Sequence, residues 1–461
     1  MQRIEKTIYA AVAMLCLAAC STDSPAAPGI RPGGGQQTGT GEPSVEIKAG
    51  EMLPAWSEGE MDIHFINTTT GECTFIIMPD GTQLLIDAAS STVATNSSGS
   101  TTNTGIRSRW DPSKTGTRGS EIIGDHIRRC MEWTGNNVLD YVMYTHFHND
   151  HIGGYSSALP VSSNSSSYRL NGATELLDEF ETGLFMDRGW PDYGYPFDML
   201  SLPSNKDCIQ NYVKAVRWHA ENKGLRVERF KAGSVNQIVP KTDKYDVKVR
   251  NIAVNGEIWT GTGETVTKTF PELPDIQVNN LAGIVSADNC PPENICSCVL
   301  RLSFGKFDYF AGADLQYNGR STFAWKDAEY PCAAACGKVE LMKADHHGST
   351  NTNDPKSLRL LDPQAIVVCS WVDCQPRTSV LNSMEAALPE TDFFITNFWL
   401  GARPDGVDDQ VTPEEAARVK GYDGHIVVRV TDGGSRYRIM TITDSDGKMT
   451  VKSVSGPYLS R

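Results

Sequence analysis

The run Thr145-His146-Phe147-His148-Asn149-Asp150-His151-Ile152-Gly153-Gly154 decides how the rest of the chain is read. It places His146, His148, Asp150 and His151 within six residues. Neutral imidazole and carboxylate are the ligands that hold zinc, manganese or iron. Four ligands this close in sequence cannot all face one ion without strain, but alternate positions of a loop can serve two adjacent ions. His146 and His148 are expected on one side, with Asp150 and His151 on the other. The chain has nine histidines in 461 residues, so a solvated loop that gathers three of them by chance is a poor competitor. Immediately upstream, Val138–Tyr144 is rich in β-branched and aromatic residues and predicts a buried strand. The ligands therefore leave a strand end, where α/β folds place their sites. Gly153 and Gly154 allow close backbone approach beyond them.

Outward from the motif, the first segment is a processing signal. Arg3 and Lys6 precede the short apolar run Tyr9–Ala19, and Leu17-Ala18-Ala19-Cys20 resembles a bacterial lipobox. Crossing a bilayer takes about twenty apolar residues. Residues 1–20 therefore predict a cleaved signal peptide with Cys20 acylated, and membrane attachment by lipid alone. The expected location is a bacterial cell envelope, periplasmic or surface-exposed. Residues 21–58 are assigned to a flexible tether, on the Pro, Gly, Gln, Ser and Thr of Ser21–Val45, which bury little apolar surface. Residues 59–461 are expected to form one large α/β domain, because the motifs span nearly all of it.

The formal charge of −14, from 42 Lys and Arg against 56 Asp and Glu, argues against a broad nucleic-acid-binding face. Twelve cysteines are present. With Cys16 removed and Cys20 lipidated, the rest are expected to form disulfides in an oxidising compartment. Cys290, Cys296 and Cys298, Cys332 and Cys336, and Cys369 and Cys374 lie close in sequence.

Periodicity predicts strands at Asp62–Ile66, Cys73–Met78 and Gln83–Asp87, with Pro79-Asp80-Gly81 as a turn. Ser90–Ser120 reads as a long polar loop. Helices are predicted over Glu121–Trp133, Thr174–Phe180 and Asp207–Lys223. Further strands are expected at Leu184–Asp187, Val227–Lys231, Tyr245–Val254, Val299–Phe304, Phe307–Ala311, Val339–Lys343, Ala365–Val368, Ile426–Val430 and Tyr437–Ile442. Two of these also end in ligands. Phe307–Ala311 runs into Gly312 and Asp314, and Val339–Lys343 stops on His346-His347-Gly348-Ser349. Asp314 suits a carboxylate bridging two ions, and one of His346 and His347 would complete the second ion's set.

These pieces resemble the metallo-β-lactamase superfamily, through H-x-H-x-D-H at 146–151, the strand-end Asp314 and His-His-Gly-Ser at 346–349. Phe65–Cys73, Met78–Gly81, Leu85–Asp87 and Ser297–Leu302 are similar to the branch containing ComEC competence nuclease-like domains and phosphorylcholine esterases. The resemblance runs from about residue 60 to 445. It implies an αββα sandwich with metals in a cleft along the sheet edges.

The chain departs from that pattern in two places. Members commonly carry one more histidine between the first motif and the bridging Asp, and here only His219 lies in that interval, in a helical pattern that suggests packing. Asp187 is the positional replacement, or else a cap for the Gly189 turn. Where the branch has an Asn and a His-Pro, this chain has Trp371–Arg377, with Gln375 and Arg377 able to meet substrate oxygens or solvent. Asp87 could support a metal-bound histidine from behind, or merely cap its turn. Arg188, Trp190, Tyr193 and Tyr195 could wall the cleft or simply pack. His64, His126 and His425 read as structural.

The expected protein is a lipid-anchored hydrolase using two divalent ions, zinc or manganese. One ion would take His146, His148 and Asp187; the other would take Asp150, His151 and a histidine of the 346/347 pair. Asp314 would lie between, sharing the catalytic role with Asp150. Ser349, Thr350, Arg188 and Arg377 would bind a small or lipid-linked phosphodiester. A thioester or lactam hydrolase, and a degenerate binding lipoprotein, are the alternatives.

Overall fold

Strands rich in Val, Ile and Phe dominate both halves of the chain, because such side chains fit a pleated surface with one face or both buried. The computed structural model describes residues 46–90, 117–196, 198–201, 206–272, 278–279, 284–285, 290–317, 323–372, 374–398, 411–443, 445 and 447–461. The signal, Cys20, most of the tether and most of the 90–120 loop lie outside them. No helix among the described residues is long and apolar enough to cross a membrane.

The first strands are β1 (Met61–Phe65), β2 (Thr74–Ile77), β3 (Gln83–Ile86), β4 (Val138–Met143), β5 (Glu181–Asp187) and β6 (Arg226–Arg229). Then come β7 (Val247–Val254), β8 (Glu257–Trp259), β9 (Val266–Lys268) and the short pair β10 (Val278–Asn279) and β11 (Ile284–Val285). β12 (Val299–Phe304), β13 (Phe307–Ala311), β14 (Leu341–Lys343), β15 (Ala365–Val368), β16 (Asp392–Ile395) and β17 (Val419–Tyr422) follow. The chain closes on β18 (His425–Thr431), β19 (Arg436–Thr443) and β20 (Thr450–Leu459).

Among the described residues these strands make two nine-stranded mixed sheets. The first runs β20-β19-β18-β1-β2-β3-β4-β5-β6 and is parallel from β3 to β6. The second runs β17-β16-β15-β14-β13-β12-β7-β8-β9 and is parallel from β13 to β17. Period-two alternation gives each sheet two apolar faces. Ile63, Phe65, Leu84 and Ile86 of the first sheet share a central core with Leu300, Tyr309, Leu341 and Val367 of the second. Phe65 and Tyr309 meet edge to face with ring centroids 5.8 Å apart. The opposite face of the first sheet, with Leu85 and Val142, packs under helices Gly119–Thr134, Ala173–Glu179 and Lys206–Asn222. That of the second, with Ile366 and Phe393, packs under helices Glu329–Cys336, Pro355–Leu361 and Thr378–Ala387. The layer order is helices, sheet, sheet, helices, a mixed α/β architecture.

The expected strands at 299–304, 307–311 and 365–368 coincide with those observed. Strands β16, β17 and β20 and helices Glu329–Cys336, Pro355–Leu361 and Thr378–Ala387 are among the additions that periodicity did not resolve. The compact unit starts at Glu46, ahead of the expected domain start at 59. Leu53 and Trp56 belong to the core, and Leu53 N donates to Met449 O at 3.0 Å. The expected disulfides are not found among the described residues, where nine of the ten cysteines from Cys73 to Cys374 are buried. Six of the buried ones, Cys73, Cys130, Cys298, Cys332, Cys336 and Cys369, sit in the three apolar cores, where thiols pack as small hydrophobic groups.

Candidate metal centre

The site is built from strand ends. Asp87 follows β3, Thr145–His151 follow β4, Asp314 follows β13, and His346 and His347 follow β14. Ala313, His346 and His347 have φ of 53°, 46° and 56°. This left-handed region costs a non-glycine residue about 1–3 kcal/mol and persists where the surroundings over-determine it, often at functional sites. The loop after β1 closes the site from another side. Gly71, at φ +136°, lies so near Asp150 that a Cβ there would collide with the Asp150 carbonyl oxygen.

Asp314 stands at the centre, 1% exposed in its side chain. Its Oδ2 is 3.2 Å from His151 Nε2, 3.5 Å from His347 Nε2 and 3.8 Å from both His146 Nε2 and His346 Nε2. His146, His148 and Asp314 form one group whose ligand-capable atoms lie within 4.8 Å of one another; Glu72, His151, Asp314 and His347 form another. Asp150 joins the second through His347 Nε2, 3.3 Å from its Oδ2. Both Asp314 oxygens, His151 Nε2 and His347 Nε2 are buried without a hydrogen-bond partner. A buried carboxylate and imidazoles left in this state would each forfeit about 1–3 kcal/mol or more. A cation among them satisfies all four atoms, so these buried groups could hold metal ions.

Surrounding groups aim these ligands. Asp87 Oδ2 is 2.8 Å from His151 Nδ1, and the same carboxylate accepts from Thr145 N at 2.8 Å and Thr145 Oγ1 at 2.7 Å. His347 Nδ1 donates to Cys369 O at 2.8 Å. In each case the outer nitrogen is engaged and Nε2 is turned inward, the usual support of a metal-bound histidine. Lys343 Nζ pairs with Glu72 Oε2 at 2.7 Å and lies 3.7 Å from Asp314 Oδ1. Glu72 therefore acts chiefly as the partner of a buried lysine under the site. Glu72 and Lys343 are 271 residues apart, so their pairing leaves no local signal in the sequence.

The charge balance is anionic at the centre. Burial opposes ionisation of Asp314, but the charges of His151, His347 and His346 outweigh it and hold the carboxyl well below its usual range. Burial also opposes protonation of His151 and His347. Asp314 overrides it at both, with Asp87 helping at His151 and Asp150 at His347, and both pKa values rise. Burial carries His146 well below the usual imidazole value and His346 to about 4. The cluster thus draws in positive charge even from its own ligands.

No protein-family model and no curated protein matches this chain. The geometry also separates the expected site residues. His347 is the inward member of its pair, fully buried, while His346 is partly exposed and 3.2 Å from Gln316 Nε2. Ser349 is half-buried and accepts from Gln375 Nε2 at 3.4 Å, and Thr350 is exposed beside it. Arg377 starts helix Thr378–Ala387, its backbone N donating to Gly348 O at 2.9 Å.

Two expectations are corrected. Asp187 is not brought to the cluster. Its Oδ1 accepts from Gly189 N and Trp190 N, and its Oδ2 from Tyr193 OH and Tyr212 OH, all at 2.8–2.9 Å. The acid caps its own turn, with no lone pair directed at a metal. Arg188 is fully buried and binds Glu293, Tyr195 O and Asn255 rather than facing substrate. Glu293 Oε1 also accepts from Phe147 N at 2.8 Å, so the pair fastens the motif loop from behind. His219, bound to Asp178 and Tyr168, packs away from the site.

Proposed function

We propose that this chain is a hydrolase of the metallo-β-lactamase type, its two sheets and flanking helices forming the αββα sandwich that the family resemblance implies, with two divalent ions, zinc or manganese, as cofactors. The observation that carries this reading is Asp314, a buried carboxylate with no hydrogen-bond partner, ringed by four imidazole nitrogens within 3.8 Å. His146 and His148 would hold one ion with Asp314. Asp150, His151 and His347 would hold the other with the same Asp314. Three protein ligands on the first ion leave a position there for substrate or water, as in catalytic zinc sites. Bound divalent ions would supply Lewis acidity and activate water near neutral pH.

The protein's own part is positioning. Asp87 and Thr145 fix the ring of His151, Cys369 O fixes that of His347, and the Lys343–Glu72 pair sets the charge beneath Asp314. Ser349 and Thr350, at the partly open side next to His346, would donate hydrogen bonds to substrate oxygens. That placement, with the branch resemblance, favours a phosphodiester, small or lipid-linked. The signal and lipobox over residues 1–20 support an envelope lipoprotein.

Metal analysis of the purified protein tests the site, with His148→Ala as control. Wild type is expected to hold two ions at this site and the variant fewer. A panel of bis(p-nitrophenyl) phosphate, a thioester and a chromogenic cephalosporin tests the substrate class. A wild type free of transition metal overturns the reading, and turnover of the cephalosporin alone overturns the phosphodiester assignment.

A further inference from the structure

A second group of metal-ligating side chains lies away from this site, in the core between the first sheet and helix Gly119–Thr134. His64 comes from β1, and His126 and Cys130 come from the helix. Ligand-capable atoms of all three lie within 4.8 Å of one another, and all three residues are fully buried. We propose that His64, His126 and Cys130 bind a thiophilic transition-metal ion, zinc or copper(I), that pins the helix to the sheet.

Several independent features converge on this group. His126 and Cys130 are four residues apart, so they stand one above the other on the same helix face. His126 Nε2 and His64 Nδ1 are 3.0 Å apart. Two nitrogens on one tetrahedral zinc, each about 2.0–2.1 Å from the ion, are separated by about 3.3 Å, so the rings need little adjustment to share an ion. The far nitrogen of His64, Nε2, lies 3.6 Å from Asp62 Oδ2. Asp62 is clamped by Arg429, with bonds of 2.8 and 2.6 Å. The His64–Asp62 distance is too long for a hydrogen bond, so Asp62 stands behind the ring as a nearby negative charge. Burial also lowers the pKa of His64, favouring the neutral ring that binds metal.

Phe75 and Trp133 also flank His64, and His425 has its ring centroid 4.9 Å from that of His126 and its Nδ1 accepting from Asn67 N. That bond leaves the proton on Nε2, so His425 closes the pocket rather than ligating. Thiolate and imidazole together select soft or borderline ions over magnesium or calcium. Burial holds the Cys130 thiol well above its usual pKa, so binding must expel that proton to solvent as the sulfur–metal bond forms. All three residues are fully buried, so the ion is expected to enter as the chain folds.

The test is expression of the full-length protein in cobalt-supplemented minimal medium, read by absorption spectroscopy and metal analysis. Neither ion group of the proposed hydrolytic site contains a cysteine, so thiolate-to-cobalt charge transfer in the near ultraviolet reports on this group. Wild type should show the band. Cys130→Ser should lose it together with one metal equivalent while retaining the ions removed by His148→Ala, and His148→Ala should keep the band. If Cys130→Ser does not fold, His126→Gln retains the thiol and should still abolish or shift the band. A wild type without the band, or a band and ion count unchanged in a folded variant of this group, overturns the proposal. Both results are independent of whether the hydrolytic site is loaded.

Discussion

At the scale of single residues, partners matter as much as residue type. Asp187 and Asp314 are both buried strand-end carboxylates, yet Asp187 accepts four hydrogen bonds and Asp314 none. Only the second has lone pairs to give a cation. Asp187→Ala is therefore expected to leave the ion count unchanged and to lower stability by several kcal/mol, since each abandoned buried donor costs about 1–3 kcal/mol. Thermal melts with parallel metal analysis check this; loss of one ion with an unchanged melting temperature would make Asp187 a ligand. The H-x-H-x-D-H spacing made four candidate ligands legible, because they share one loop. The inward turn of His347 over His346 was not legible, because it depends on left-handed backbone at both positions.

At the scale of elements, the site depends on loops being held against one another. Gly71 is where the loop after β1 touches the motif loop, and Glu72 N donates to Asp150 O at 3.0 Å. Gly71→Ala combines a disfavoured φ with a collision against that same carbonyl oxygen. The expected result is destabilisation beyond about 1 kcal/mol, with weakened metal binding because Asp150 must shift. A chelator competition series alongside denaturant unfolding would show it, and unaltered affinity would mean that the two loops are mechanically independent. The Arg188–Glu293 pair works similarly from the other side, and sequence spacing cannot reveal it because its partners are 105 residues apart.

At the scale of the whole molecule, the first and last parts of the compact unit meet in the middle of one sheet. β1 pairs with β18, and Asp62 faces Arg429 directly in that register. Burial would push the Asp62 carboxyl up, but the Arg429 charge and hydrogen bonds, aided by His64, hold it down at about 2 against a usual 3.8. Because the folded value lies below the unfolded one, the stabilisation is present above pH 3.8 and is lost as pH falls through about 2. That difference corresponds to about 2 kcal/mol. Asp62→Asn should remove this acid-side slope. At neutral pH it should destabilise by about 3–5 kcal/mol, since it strands a buried guanidinium. Chemical denaturation across pH measures both effects, and an unchanged slope would assign acid sensitivity to other groups.

The sequence by itself determined the strand alternation, the strand ends that carry candidate ligands and the chemistry of those side chains. Each is set within a few residues, by side-chain type and by the two-residue period of the pleat. Only the tertiary structure decided which ligands meet. Asp314 arrives from the second sheet and His151 from the first, and their distance depends on the stacking of Ile63, Phe65 and Leu84 against Leu300, Tyr309 and Leu341. The same stacking buries Lys343 with Glu72 beneath the site. On the outer face of the first sheet, packing brings His64 to His126 and Cys130. Contacts of this kind follow from how whole apolar faces are buried, so no local stretch of residues encodes them.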